Sequence, residues 1–121
     1  MEIIGVVFML KKSFRLKKAK DFQKIFKEGK LIKDDFLLLR FVANNRKESR
    51  IGIMVSQKVS KKAVLRNKIK RRIRAIIFNN LLKIKKGFDI LIIVLPGFEE
   101  KNFAQINELI KRVLLKAGLY D

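Results

Sequence analysis

The sequence predicts an α+β protein: a single-domain α-β sandwich with helices covering a small, mostly antiparallel sheet. Three observations carry that expectation. Residues 36–43 are dense in β-compatible side chains, and 50–56 alternate Ile51, Ile53 and Val55 with Gly52, Met54 and Ser56, the marks of strands. Apolar residues recur with the helical period over 65–77 and 106–114. Between the two helical stretches, 88–95 is an almost unbroken, β-branched apolar run closed by Pro96-Gly97, as expected of a strand buried on both faces. A chain of 121 residues is one domain long and can bury a core without disulfides or a structural metal.

The first ten residues, MEIIGVVFML, are apolar. A membrane span needs about 20 such residues. A signal peptide needs a basic start, where Glu2 stands, and a small-residue cleavage site. Residues 1–10 are therefore expected to be an N-terminal extension, either an extra strand or arm or a stretch upstream of a start at Met9, with the domain at 11–121 and no membrane role. Residues 13–18 read as extended. Phe22, Ile25 and Phe26 then predict a short amphipathic helix over 19–28, stopped at Gly29. Asp34-Asp35 reads as a turn rather than a metal site.

The strand at 36–43 sets Phe36, Leu38, Arg40 and Val42 on one face and Leu37, Leu39 and Phe41 on the other. A polar turn separates it from the strand at 50–56, which predicts an antiparallel hairpin between them. Ser60 suits the N-cap of a long helix running to about Asn80. Its apolar stripe is Leu65, Ile69, Ile73, Ile76 and Ile77. The last helix is expected over 99–117, with Glu99 and Glu100 at its positive end and Gly118 at its stop.

Charge narrows the function. Lys and Arg number 30 against 11 Asp and Glu, a net +19, while 49% of residues are hydrophobic. A disordered basic tail is poor in apolar residues. This is a folded domain with a strongly positive surface, the footprint of a nucleic-acid binder. With no cysteine or histidine there is no thiolate or histidine zinc site, no Ser-His-Asp triad and no histidine base. No catalytic residue and no metal ligand are assigned to the chain. A protein-only nuclease would need an acidic cluster for Mg²⁺, and the sequence offers none.

The long helix carries its charge unrelieved. Opposite its apolar stripe lie Asn67, Lys70, Arg71 and Arg74, with Arg66 at the edge. Residues 58–74 contain no acidic side chain, so no i,i+4 ion pair relieves the repulsion. A bound polyanion would relieve it; a merely solvated basic face is the plainer alternative.

The run Arg66-Asn67-Lys68-Ile69-Lys70-Arg71-Arg72-Ile73-Arg74 resembles the R-N-x-x-K-R-x-x-R signature of the bacterial ribonuclease P protein family. Gly52-Ile53-Met54-Val55-Ser56-Gln57-Lys58, Arg15-Leu16-Lys17-Lys18, Asp21-Phe22, Ile25-Phe26 and Gly29 match it in order and spacing, so the likeness spans about 11–116. It implies a fold type shared with a ribosomal protein domain, with a left-handed strand–helix–strand crossover across 50–95, against the general right-handed preference. It also implies a cytoplasmic protein that joins a large catalytic RNA and, with it, removes the 5′ leader of precursor tRNA. The endoribonuclease is then the holoenzyme, its Mg²⁺ held mainly by the RNA. Lys58, Arg66, Asn67, Lys70, Arg71 and Arg74 correspond to RNA-binding positions. Phe22, Phe26, Leu37 and Leu39 correspond to the cleft for the single-stranded leader, where bases stack on rings for about 1–3 kcal/mol each. Core packing is the other reading of Phe22 and Phe26. A ribosomal or other rRNA-binding protein is the alternative function, and no DNA partner is expected.

Overall fold

The computed structural model describes residues 15, 16 and 18–121; the expected extension at 1–10 lies outside the described residues. The elements are α1 (Ala19–Glu28), β1 (Lys30–Lys33), β2 (Leu37–Ala43), β3 (Arg50–Val55), α2 (Ala63–Asn79), β4 (Phe88–Val94) and α3 (Phe103–Lys116). Short 3-10 turns occupy Leu81–Lys83 and Phe98–Glu100. The helix expected over 19–28 forms as read.

The sheet order is β1-β2-β4-β3. β4 runs antiparallel to β2 and parallel to β3. The hairpin expected between 36–43 and 50–56 therefore does not form, because β4 inserts between its two arms. β4 is the most apolar strand and gains most from an interior position covered on both faces. The β2–β3 connection instead clasps the start of β4. Ser49 Oγ accepts from the Phe88 N–H at 3.0 Å and donates to the Lys85 carbonyl at 2.6 Å, and the Asn44 N–H donates to the Gly87 carbonyl at 2.9 Å. β1 was not foreseen. It is a four-residue edge strand, Lys-Leu-Ile-Lys, and lysines at both ends suit an exposed edge.

α2 and α3 cover one face of the sheet. Their Ile69, Ile73, Ile76, Ile77, Ile106, Leu109, Ile110 and Val113 join Leu37, Leu39, Phe41, Ile51, Ile90 and Ile92 in the main core. α1 lies on the other face, where Ile25, Leu16 and Leu91 form a smaller core flanked by Phe22, Val42 and Ile93. Gly52 makes that possible. A Cβ at this position would stand 3.1–3.2 Å from side-chain carbons of Leu16, Phe22 and Leu91 together.

Two helix starts differ from expectation. α2 begins at Ala63 with Lys62, not Ser60, in the cap position. Ser60 Oγ instead accepts from the Lys62 N–H at 3.2 Å, and Leu65 at the head of the stripe is 41% exposed. α3 begins at Phe103 rather than at Glu99. Asn102 and Gln105 exchange reciprocal side-chain–backbone bonds of 2.9 Å, a capping box that satisfies the first free N–H groups. Glu99 falls in the 3-10 turn and accepts from the Gly97 N–H.

Two ionic clusters tie elements together. Asp89 on β4 is 2% exposed and receives Arg50 Nε and Nη2 at 2.9 and 2.7 Å. Arg50 Nη1 reaches Asp21 on α1 at 3.2 Å, and Asn44 Nδ2 donates to Asp89 at 2.9 Å. Asp34, in the turn before β2, receives Arg112 Nε and Nη2 of α3 at 2.9 and 3.0 Å, with Lys116 at 3.6 Å. The hydrogen bonds from Arg112 hold the Asp34 carboxyl down at about 2, against an opposing push from burial.

Removing the carboxylate of Asp89 leaves Arg50 buried and unpaired. Asp89→Ala should cost about 3–5 kcal/mol in urea denaturation. Asp34 carries a pH signature: its folded value lies below the ordinary 3.8, so its contribution is complete above that pH and disappears as pH falls toward 2. Asp34→Asn should lower Tm at neutral pH, and the gap from the parent should close in melts taken between about pH 5 and pH 2.

Candidate nucleic-acid interface

The outer face of α2 carries the cations the sequence placed there. Asn67 and Arg71 are exposed, as is Lys58 in the preceding loop, while Arg66, Lys70 and Arg74 are half-buried. They hold their places because Ile69, Ile73, Ile76 and Ile77 anchor the opposite stripe in the main core. Arg66 also has a local task. Its Nη1 donates to the carbonyls of Ser60 and Lys61 at 2.9 and 3.0 Å, bracing the loop that leads into the helix.

Arg74 sits where α2 meets the β3 edge. Arg15 bridges to Ile51 alongside that edge, and the Leu16 N–H donates to the Ile51 carbonyl at 3.0 Å. Burial first, and then the positive charge of Arg15, push the Arg74 guanidinium below its usual value. Two cations held beside each other in this way favour an anion between or over them.

The second surface is the sheet face that carries α1. Register places its residues in three rows. Val42, Asp89 and Arg50 form the first; Leu31, Arg40, Leu91 and Gly52 the second; Lys33, Leu38, Ile93 and Met54 the third. α1 covers the first through the Asp21–Arg50 pair and reaches the second through Phe22. The third row stays open, an apolar floor with Lys33 at its rim. Phe26 is 46% exposed on the margin of this floor, and the Arg40 guanidinium lies 5.4 Å from its ring centroid. Cation and ring together suit unpaired bases, which stack on both.

Leu37 and Leu39 do not belong to this surface. Both are 0% exposed and point into the α2–α3 core. Alternation shows that 37 and 39 share a face but not which layer that face meets, and a step of one residue exchanges the two sides. Leu38 and Arg40 hold the open positions instead. Phe22 and Phe26 also part company: Phe22 is wedged over Gly52, whereas Phe26 is open to solvent. Arg40, Leu38, Ile93 and Met54 were missed as site residues, although Arg40 at an otherwise apolar strand position was a signal. Among the described residues no group of three or more Asp or Glu is placed to hold a metal ion, and no helix is long and apolar enough to cross a membrane.

A four-stranded mixed sheet with two helices on one face, a third helix on the other and a cationic helix face beside a half-open aromatic cleft defines an α-β sandwich with the surface chemistry of a nucleic-acid-binding protein. Comparison with known proteins agrees. The family model "Ribonuclease P" matches residues 10–118. The ribonuclease P protein component of Synechocystis is 42% identical over 113 residues, covering 93% of this chain and 91% of its own. The solved Staphylococcus aureus RNase P protein superposes with a TM-score of 0.82 at 34% identity, over 91% of this chain and 100% of that one. The Thermotoga maritima RNase P protein, solved with 1-(4-fluorophenyl)-2-thiourea, gives 0.75 at 38% identity, over 82% and 96%. The chain belongs to the bacterial ribonuclease P protein family.

The unequal burial of the two rings has a measurable consequence. Phe22→Ala should destabilise the fold by roughly 3 kcal/mol, the low end for a core phenylalanine, because the ring is packed but only partly buried. Phe26→Ala should cost less than about 1 kcal/mol, since half of its surface is already in water. Urea titrations of the two variants check the difference.

Proposed function

We propose that this protein binds the catalytic RNA of ribonuclease P through the outer face of α2 and the 5′ leader of precursor tRNA through the open row of the sheet. The holoenzyme then removes the leader by Mg²⁺-dependent hydrolysis in the cytoplasm. The observation that carries this reading is the separation of the two surfaces. Arg71 and its neighbours present charge without rings, which meets phosphates with little regard to sequence. Phe26, Leu38, Ile93 and Met54 present apolar surface with few charges, which suits splayed bases.

Among the described residues no three carboxylates come together to hold a metal ion, and the three most enclosed in ion pairs are already engaged. Asp21 and Asp89 are held by Arg50, and Asp34 by Arg112. The residues present therefore do not fit a Mg²⁺ site, and the proposal assigns the metal to the RNA. The protein's part is to attract, orient and hold. Arg66 keeps the approach loop in place, Arg71 and Lys70 meet the RNA backbone, and Phe26 with Arg40 receives the leader.

The test is cleavage of precursor tRNA by the protein mixed with a ribonuclease P RNA in Mg²⁺, together with paired affinities for precursor and mature tRNA. Phe26→Ala should lower precursor affinity about fivefold or more, by the stacking energy of roughly 1 kcal/mol or above, and leave mature tRNA unaffected. Arg71→Ala should weaken association with the catalytic RNA severalfold and make the log–log salt slope shallower by about 0.9. Equal losses for both tRNAs in Phe26→Ala would reject the leader assignment.

A further inference from the structure

We infer that the protein has a second phosphodiester-binding site, on the side of α1 away from the open row, which grips the backbone of the same RNA. It is a depression of about 280 Å³ between the first turns of α1 and the β2–β3 connection. Its floor is the Arg50–Asp89–Asp21 cluster; its walls are Lys18, Lys20, Lys24 and Arg46.

The floor is electrostatically occupied. All three guanidinium nitrogens of Arg50 are bonded to Asp89 or Asp21, at 2.7–3.2 Å. Those carboxylates are therefore turned inward toward Arg50. The walls have no such partners. Among the described residues none of the four wall cations makes an ion pair, whereas Arg112 and Lys116 at the other end of the fold share Asp34. With five cations and two carboxylates around it, the depression has a net charge of +3.

The wall formed by the β2–β3 connection is built rather than loose. Asn44 bonds to Asp89 at 2.9 Å, to the Glu48 carbonyl at 3.1 Å and to the Arg46 N–H at 2.8 Å. Asn45 adopts the left-handed conformation, φ 58°, between them. One side chain thus stitches the turn to the floor and fixes where Arg46 leaves the backbone. Cations spread around an open depression, without a convergent cradle of N–H donors, suit successive phosphates of a polyanion better than one small anion.

Position identifies the polyanion. α2 packs against β3, Arg15 pairs with Ile51 along the β3 edge, and the chain reaches Lys18 three residues later. A positive band therefore leads from the α2 face around the β3 edge to this depression, so a backbone seated on α2 can continue into it. The inference rests on the proposed RNA partner, but none of the residues lining the depression belongs to the α2 face or the leader cleft.

The experiment measures association of the full chain with a ribonuclease P RNA transcript across a salt series. It compares Lys20→Ala/Arg46→Ala, Arg71→Ala and a control, Lys85→Ala/Lys86→Ala, that removes two exposed lysines elsewhere. Truncating Arg46 spares the backbone N–H that Asn44 uses, so Tm should be unchanged. If the site exists, the Lys20/Arg46 double variant flattens the log–log slope by about 1–2, lowers affinity roughly tenfold at moderate salt, and recovers both when the pair is exchanged as Lys20→Arg/Arg46→Lys. A slope change no larger than the control's overturns the site, because general charge would then explain it. If Arg71→Ala weakens binding and the Lys20/Arg46 variant does not, the second site falls while the proposed function stands. If neither changes binding, both fall.

Discussion

The arrangement of this protein turns on one buried carboxylate. Asp89 is nearly inaccessible on the central strand, and it collects Arg50 from β3 and Asn44 from the end of β2. Through Arg50 it also holds Asp21 on α1. A buried ion pair adds little net stability over a well-packed apolar replacement, but it is costly to break and admits few geometries. Here it settles where α1 crosses the sheet. Once Asp21 is tied to Arg50, Phe22 falls over Gly52 and Phe26 falls at the margin of the row left uncovered.

The same economy of acidic groups shapes the surface. The chain has 11 carboxylate side chains against 30 cations, and among the described residues the ion pairs of Asp21, Asp34 and Asp89 join elements distant in sequence. None of these three is available to α2. Its outer face is therefore a block of like charge held in place by the isoleucines beneath it, and the repulsion is tolerable because core burial of four isoleucines outweighs weak exposed-charge interactions. The RNA partner proposed for this face would supply the missing counter-charge.

The family resemblance and the α2 face were legible because each depends on residues close in sequence. A helix repeats every 3.6 residues, so Ile69, Ile73 and Ile76 on one side dictate where Asn67, Lys70, Arg71 and Arg74 must stand. The cleft was legible only in part. Its assignment mixed two sides of one strand, because Leu37 and Leu39 are as apolar as Leu38, and alternation separates faces without naming them. Phe22 and Phe26, one helical turn apart, could not be told apart until Gly52 received one ring and the other was left over the edge.

By itself the sequence determined the local periods: the extent of α1, the apolar core of β4, the split of α2 into an isoleucine stripe and a cationic face, and the absence of residues for histidine or cysteine chemistry. These follow from side-chain identity and spacing alone. Tertiary structure decided which strands pair and which sheet face meets which helix. The 36–43 and 50–56 runs had every local mark of a hairpin, yet each gains more by flanking β4, whose two apolar faces need cover and whose Asp89 needs Arg50 from one neighbour and Asn44 from the turn beyond the other. Strand pairing and burial are settled between residues distant in the chain, where no local period reaches.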